Sequence, residues 1–150
     1  MNLNDWATLF GLLSGVTAIV LSVINYLRDK PRIKVTLQWD MKVTPNVVYD
    51  SNKLWGVVTA TNTGRRPIYI SHAALRLPKG AENRILILKE GIGGEKLSEG
   101  DPPKTFMVSQ EGFEKYAKYW DRIYAQVSDS TGKVWRSTPW KVLGPPSWAR

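Results

Sequence analysis

Two hydrophobic patterns divide the chain. From Trp6 through Leu27, 22 consecutive residues carry no charged side chain. As an α-helix they extend about 33 Å, enough to cross a hydrocarbon core about 30 Å thick. Asn4 and Asp5 are cap-type residues ahead of the first turn. Trp6 and Tyr26 stand near the two ends, where amphipathic rings favour the headgroup level. Arg28-Asp29-Lys30-Pro31-Arg32-Ile33-Lys34 follows, a basic segment whose proline ends the helix. A cleavable signal peptide opens with a positive region, which Met1 to Asp5 lacks, and has a shorter apolar run. A soluble core helix of this length rarely lacks charge on every face. The pattern predicts a transmembrane helix over residues 6–27, a short external N-terminus over 1–5 and a basic juxtamembrane segment over 28–34 that enters the first strand.

Beyond Arg32 the period drops to two. Ile33, Val35, Leu37, Trp39, Met41 and Val43 alternate with Lys34, Thr36, Gln38, Asp40 and Lys42, a strand with one buried and one wet face. Pro45-Asn46 breaks it. Residues 54–62, rich in β-branched side chains, predict a second strand closing at Thr63-Gly64. Ile68-Tyr69-Ile70, residues 84–88 and Phe106-Met107-Val108 predict three more. Residues 89–103 hold four glycines, two prolines and four carboxylates and predict a long loop. Ser109 predicts the cap of a short helix over 110–119, with Phe113, Tyr116, Ala117 and Trp120 on one side. Residues 123–128 and 134–138 flank Asp129-Ser130-Thr131-Gly132-Lys133, a hairpin signal. Residues 144–150 predict an irregular tail.

The implied fold is mainly β, an antiparallel sandwich or barrel over residues 32–143 behind one apolar helix. The stretch Val58-Thr59-Ala60-Thr61-Asn62-Thr63-Gly64-Arg65-Arg66-Pro67-Ile68-Tyr69-Ile70 resembles the strand-turn-strand of bacterial immunoglobulin-like domains, and Val127 to Lys133 resembles their final hairpin. That resemblance implies an immunoglobulin-like β-sandwich.

Charge adds orientation. Four basic side chains and one acidic one follow the apolar run within seven positions, whereas the N-terminal flank offers only Asp5. The positive-inside rule then places the C-terminal domain in the cytoplasm and the protein in the cell membrane as a single-pass chain. The apolar run also carries a seam. Thr8, Gly11, Gly15, Ala18, Ser22 and Asn25 recur at spacings of three and four, a stripe of small and polar residues with a period of 3.5. Small residues allow close backbone approach, so the stripe predicts a homo-oligomer through the helix, as a polar pore lining or as a dry contact.

Composition removes much chemistry. The chain has no cysteine and one histidine, His72, which excludes thiol nucleophiles, disulfides and multi-histidine metal sites. No Walker A or G-x-S-x-G motif occurs. Glu90, Glu95, Glu99 and Asp101 fit no calcium-loop spacing and read as a solvated acidic loop. No catalytic residue, metal or cofactor is expected. From Pro31 onward 19 basic side chains face 11 acidic ones. Arg28, Lys30, Arg32 and Lys34 suit an anionic leaflet. Arg65, Arg66 and Tyr69 at one turn, Lys115, Lys118 and Arg122 among tyrosines, and Lys133 and Arg136 beside Trp135 are candidates for a nucleotide or oligonucleotide, through phosphate contacts and stacking. A solvated surface and an acidic protein partner are the competing readings.

One span joined to a cytoplasmic sandwich resembles the small membrane effectors of bacterial nucleotide-signalling anti-phage systems, with the Hailong-type channel effector as the nearest example. This architectural resemblance implies an oligomeric effector, an ion channel or membrane-disrupting protein gated by an anionic ligand, and it gives no residue a role. A non-conducting membrane scaffold that recruits a protein or nucleic acid is the alternative.

Overall fold

The computed structural model describes residues 3–44, 50, 52–88, 91–140 and 144–150. Pro45-Asn46 and Glu90 lie outside the described residues. Helix α1, Leu3–Arg28, is continuous, and the most apolar 18 residues of its Asp5–Arg28 stretch have a mean hydropathy of 2.2. It is long and apolar enough to cross a membrane, and its most apolar window is entirely unburied. Phe10, Leu12 and Ile19 are each more than half exposed. Ser14 and Thr17 turn their hydroxyls back onto the carbonyls of Phe10 and Leu13, both at 2.8 Å, so neither side chain presents an unmet donor on the helix surface. Arg28 sits in the last turn, where a cation complements the helix dipole.

Among the described residues eight strands follow: β1 (Ile33–Lys42), β2 (Leu54–Asn62), β3 (Ile68–Arg76), β4 (Ile85–Ile87), β5 (Glu95–Leu97), β6 (Lys104–Ser109), β7 (Tyr124–Asp129) and β8 (Val134–Arg136). All pairings are antiparallel. One sheet has the order β1-β2-β6; the other has the order β4-β3-β7-β8, with β5 paired to the start of β3. The chain changes sheet after β2, β5 and β6, the Greek-key path of an immunoglobulin-like sandwich. Ile33, Val35, Leu37, Val58, Ala60 and Phe106 from the first sheet belong to one core with Ile68, Ile70, Leu75, Ala125 and Val127 from the second.

Four details differ from the sequence pattern, each for a physical reason. The alternation in β1 stops at Asp40, whose φ of 59° is left-handed. The bulge between Gln38 and Met41 leaves Met41 exposed. Asp40 holds that conformation through its carboxylate, which accepts hydrogen bonds from the Ser147 amide and hydroxyl. The tail is consequently not irregular: a 3₁₀ turn, Ser147–Ala149, carries Trp148 into the core. The loop over 89–103 contains β5, whose Leu97 is fully buried. The short helix is a 3₁₀ helix over Glu114–Arg122, with no side-chain cap. The Ser109 hydroxyl instead accepts the Glu111 amide at 3.3 Å. A 3₁₀ helix repeats every three residues, so the buried set is Phe113, Tyr116 and Tyr119, with Ala117 and Trp120 only half-buried.

Three of these departures, at Asp40, the C-terminal turn and the 3₁₀ helix, meet at one end of the sandwich. Trp39, Phe113 and Trp148 surround one another with ring centroids 5.3–5.5 Å apart. Gly56 lies beneath the Trp39 ring, where an added Cβ would stand 2.5–2.6 Å from ring carbons. Gly56→Ala is therefore expected to lower stability by about 2 kcal/mol through overpacking. Urea unfolding of the full chain in detergent, followed by near-ultraviolet circular dichroism, measures it; an unchanged midpoint contradicts this packing.

Candidate functional site

The opposite end of the sandwich is where α1 arrives, and its key element is the β2–β3 turn. Buried Asn62 organises that turn from within. Its Nδ2 donates to the carbonyls of Arg66 (2.8 Å) and Leu97 (2.9 Å), and its Oδ1 accepts the Gly64 amide at 2.9 Å. The Thr63 amide donates to the Arg32 carbonyl at 2.9 Å, which fastens the turn to the segment leaving α1. A Cβ on Gly64 would sit 2.6 Å from the Lys30 carbonyl oxygen and 2.8 Å from the Arg32 nitrogen. Only glycine permits this approach.

Two larger clefts flank the junction, beside a recess of about 120 Å³ between Tyr26, Lys30 and Arg66. One, about 260 Å³, is bordered by Pro31, Arg66, Tyr69, Ser130 and Lys133. Three of the sequence candidates, Arg66, Tyr69 and Lys133, thus converge beside the first proline after the helix. Tyr69 is half exposed, with its ring available at the cleft. The second cleft, about 440 Å³, is bordered by Ile24, Leu27, Arg28, Arg32, Arg65 and Glu99. Arg65 therefore borders a different cleft from Arg66, although both lie near the helix end. Its Nε lies 3.9 Å from Glu99, and both side chains are substantially exposed.

The remaining basic candidates lie elsewhere. Lys115, Lys118 and Arg122 are on the 3₁₀ helix at the far end, beside Phe113 and its aromatic cluster. Tyr116 and Tyr119 are core residues there, and Lys115, Lys118 and Arg122 lie over their rings at 4.8–5.2 Å. These contacts are internal cation–π pairs, and the rings are not platforms for a base. Lys115 also pairs with Glu82 at 3.2 Å. Arg136, on β8, lies 5.8 Å from the Tyr124 ring. His72 is half-buried within β3, opposite Ser128. Glu95 pairs with Lys104 at 3.1 Å, and Asp101 accepts the Ser98 amide at 2.6 Å.

The seam residues Thr8, Gly11, Gly15, Ala18, Ser22 and Asn25 all fall within α1, on an arc of about 100° at 3.6 residues per turn. A Cβ on Gly11 or Gly15 would meet nothing within 4 Å, so the lane is open along the single chain.

The β7–β8 hairpin closes the smaller cleft and depends on Asp129. Its Oδ1 accepts the Thr131 amide (2.9 Å), the Thr131 hydroxyl (2.6 Å) and the Lys133 amide (2.9 Å). Burial pushes the carboxyl pKa up, but these hydrogen bonds outweigh it and the net displacement is downward. A lowered folded pKa adds stability that is complete above the unfolded value of about 3.9 and lost as pH falls through the folded one. Asp129→Asn should cost about 1 kcal/mol at neutral pH, with the deficit closing below about pH 4. Urea midpoints of both proteins across that range check it; a deficit independent of pH contradicts the charged role.

The chain matches no protein-family model and no curated protein, so its chemistry is read from this geometry.

Proposed function

We propose that the chain is an oligomeric single-pass membrane effector, in which an anionic ligand on a cytoplasmic sandwich biases a bundle of α1 helices. Membrane insertion is supported by the bare helix. A helix whose most apolar 18 residues have a mean hydropathy of 2.2 and no protein cover exposes far more contiguous apolar surface than soluble monomers tolerate. Orientation is supported by the basic side chains after the span, to which the fold adds Arg65 and Arg66 at the level of the helix end. Assembly is supported by the open small-residue lane.

The observation that carries the regulatory reading is the position of the Arg66–Tyr69–Lys133 cleft against Pro31. A phosphate-bearing ligand there would meet two cations, a half-exposed ring and the link that leaves α1, beside an Asp129 carboxylate whose Oδ1 already accepts from Thr131 and Lys133. Nucleotides and oligonucleotides present that combination of phosphate and stacking face. Such a ligand shifts the bundle only by binding two arrangements unequally, and a site touching both link and sandwich differs when their angle changes. The output is a path across the membrane lined by the polar members of the seam, in keeping with an ion-conducting or membrane-disrupting role in defence against phage.

Two measurements test this reading. In liposomes, ion flux is expected to respond to a panel of nucleotides and short oligonucleotides, and Arg66→Gln with Lys133→Gln should abolish the response while preserving oligomer size. Flux that never appears under any ligand favours the non-conducting scaffold. Separately, Gly11→Leu with Gly15→Leu is expected to reduce the oligomer to monomer in mild detergent, by light scattering, because bulky side chains hold the backbones apart. An unchanged mass removes the seam.

A further inference from the structure

We infer that the larger cleft, between the end of α1 and the β2–β3 turn, binds the phosphate headgroup of an anionic phospholipid. This rests on the membrane-spanning reading of α1 and adds a lipid site distinct from the Arg66–Tyr69–Lys133 cleft. Its walls differ in chemistry. Ile24 and Leu27 continue the apolar surface of the helix, and Arg28, Arg32 and Arg65 form a cationic wall at its end. Two of those arginines are sequence neighbours of the span. The third arrives from β2–β3 because the Thr63 amide and Gly64 bind that turn to Lys30 and Arg32.

The occupant follows from charge and from continuity with the span. Guanidinium groups offer paired N–H donors that match phosphate oxygens. An apolar wall running directly into the lipid-facing helix suits the first carbons of an acyl chain, and a free nucleotide gains nothing from Ile24 or Leu27. Glu99 is the counter-charge. It is exposed and meets Arg65 only at 3.9 Å, so it competes weakly for the guanidinium. A headgroup in this cleft bridges the helix end and the sandwich and fixes the angle between the sandwich and the bilayer.

The test uses the full chain in a neutral detergent, titrated with phosphatidylglycerol or phosphatidylcholine, with bound lipid counted by native mass spectrometry. Phosphatidylglycerol is expected to be retained in preference to phosphatidylcholine. Arg65→Gln should weaken its retention about fivefold, the effect of one basic contact at an anionic surface. Glu99→Gln should strengthen it, a gain that damage to folding does not produce, and Lys118→Gln at the far end should leave it unchanged. Glycerophosphate, which has the headgroup phosphate without acyl chains, should compete poorly. Wild-type retention in both Arg65→Gln and Glu99→Gln overturns the site. Displacement by equimolar glycerophosphate also overturns it, in favour of a free-phosphate site. Membrane anchoring is read separately: wild-type protein released from vesicles by plain buffer sinks the anchoring and this inference together.

Discussion

The structure depends on a backbone contact of a few ångströms. The Thr63 amide meets the Arg32 carbonyl, and the missing side chain of Gly64 lets the turn lie against Lys30. Without it, α1 and the sandwich are joined only by a short link around Pro31. With it, the start of β1, the end of β2 and the base of the helix are held together, and both clefts take their walls from two elements. The contact follows from the β1–β2 register, which sets Ile33 opposite Asn62. Asn62 then closes the turn and reaches β5 through the Leu97 carbonyl, so one buried amide links both sheets at the helix end.

Charge is partitioned by this architecture. At the far end, Lys115, Lys118 and Arg122 lie over buried tyrosine rings. At the helix end, Arg28, Arg32, Arg65, Arg66 and Lys133 border clefts whose walls also hold Glu99 and Asp129, and Lys133 lies 4.1 Å from the Trp135 ring. Attraction between exposed cations and a charged surface fades beyond a Debye length of about 8 Å at physiological ionic strength. Basic residues at the far end of the sandwich therefore contribute little to any headgroup contact, whereas those at the helix end act together.

The helix and the sandwich were legible in the sequence because each has a period set by local geometry. An uncharged run of 22 residues and the alternation through Ile33, Val35, Leu37 and Trp39 need no tertiary information. Alternation failed at Met41 because Asp40 is held in a left-handed turn by Ser147, a partner 107 residues away. Buried Leu97 was hidden in a segment whose glycines and prolines read as loop, since a three-residue strand is too short to show a period. Arg65 and Arg66 looked like one basic pair. Adjacent residues in a tight turn point to different sides, and here those sides belong to different clefts.

That division has a consequence for coupling. Arg65 faces the apolar end of α1, and Arg66 faces Pro31 and the β7–β8 hairpin, yet both ride on the turn that Asn62 closes. Anything that displaces the turn toward one cleft moves the other arginine as well. The Asn62–Arg66 bond is 2.8 Å long and the Thr63 amide is tied to Arg32, so the backbones that carry the two cations belong to one hydrogen-bonded turn. On the proposed readings, a lipid at Arg65 and a phosphate ligand at Arg66 would act on the same turn. If occupancy of one cleft changes the affinity of the other, linkage makes the effect reciprocal. Coupling of this kind needs no long pathway through the core, because the two sites are the two faces of a single five-residue turn.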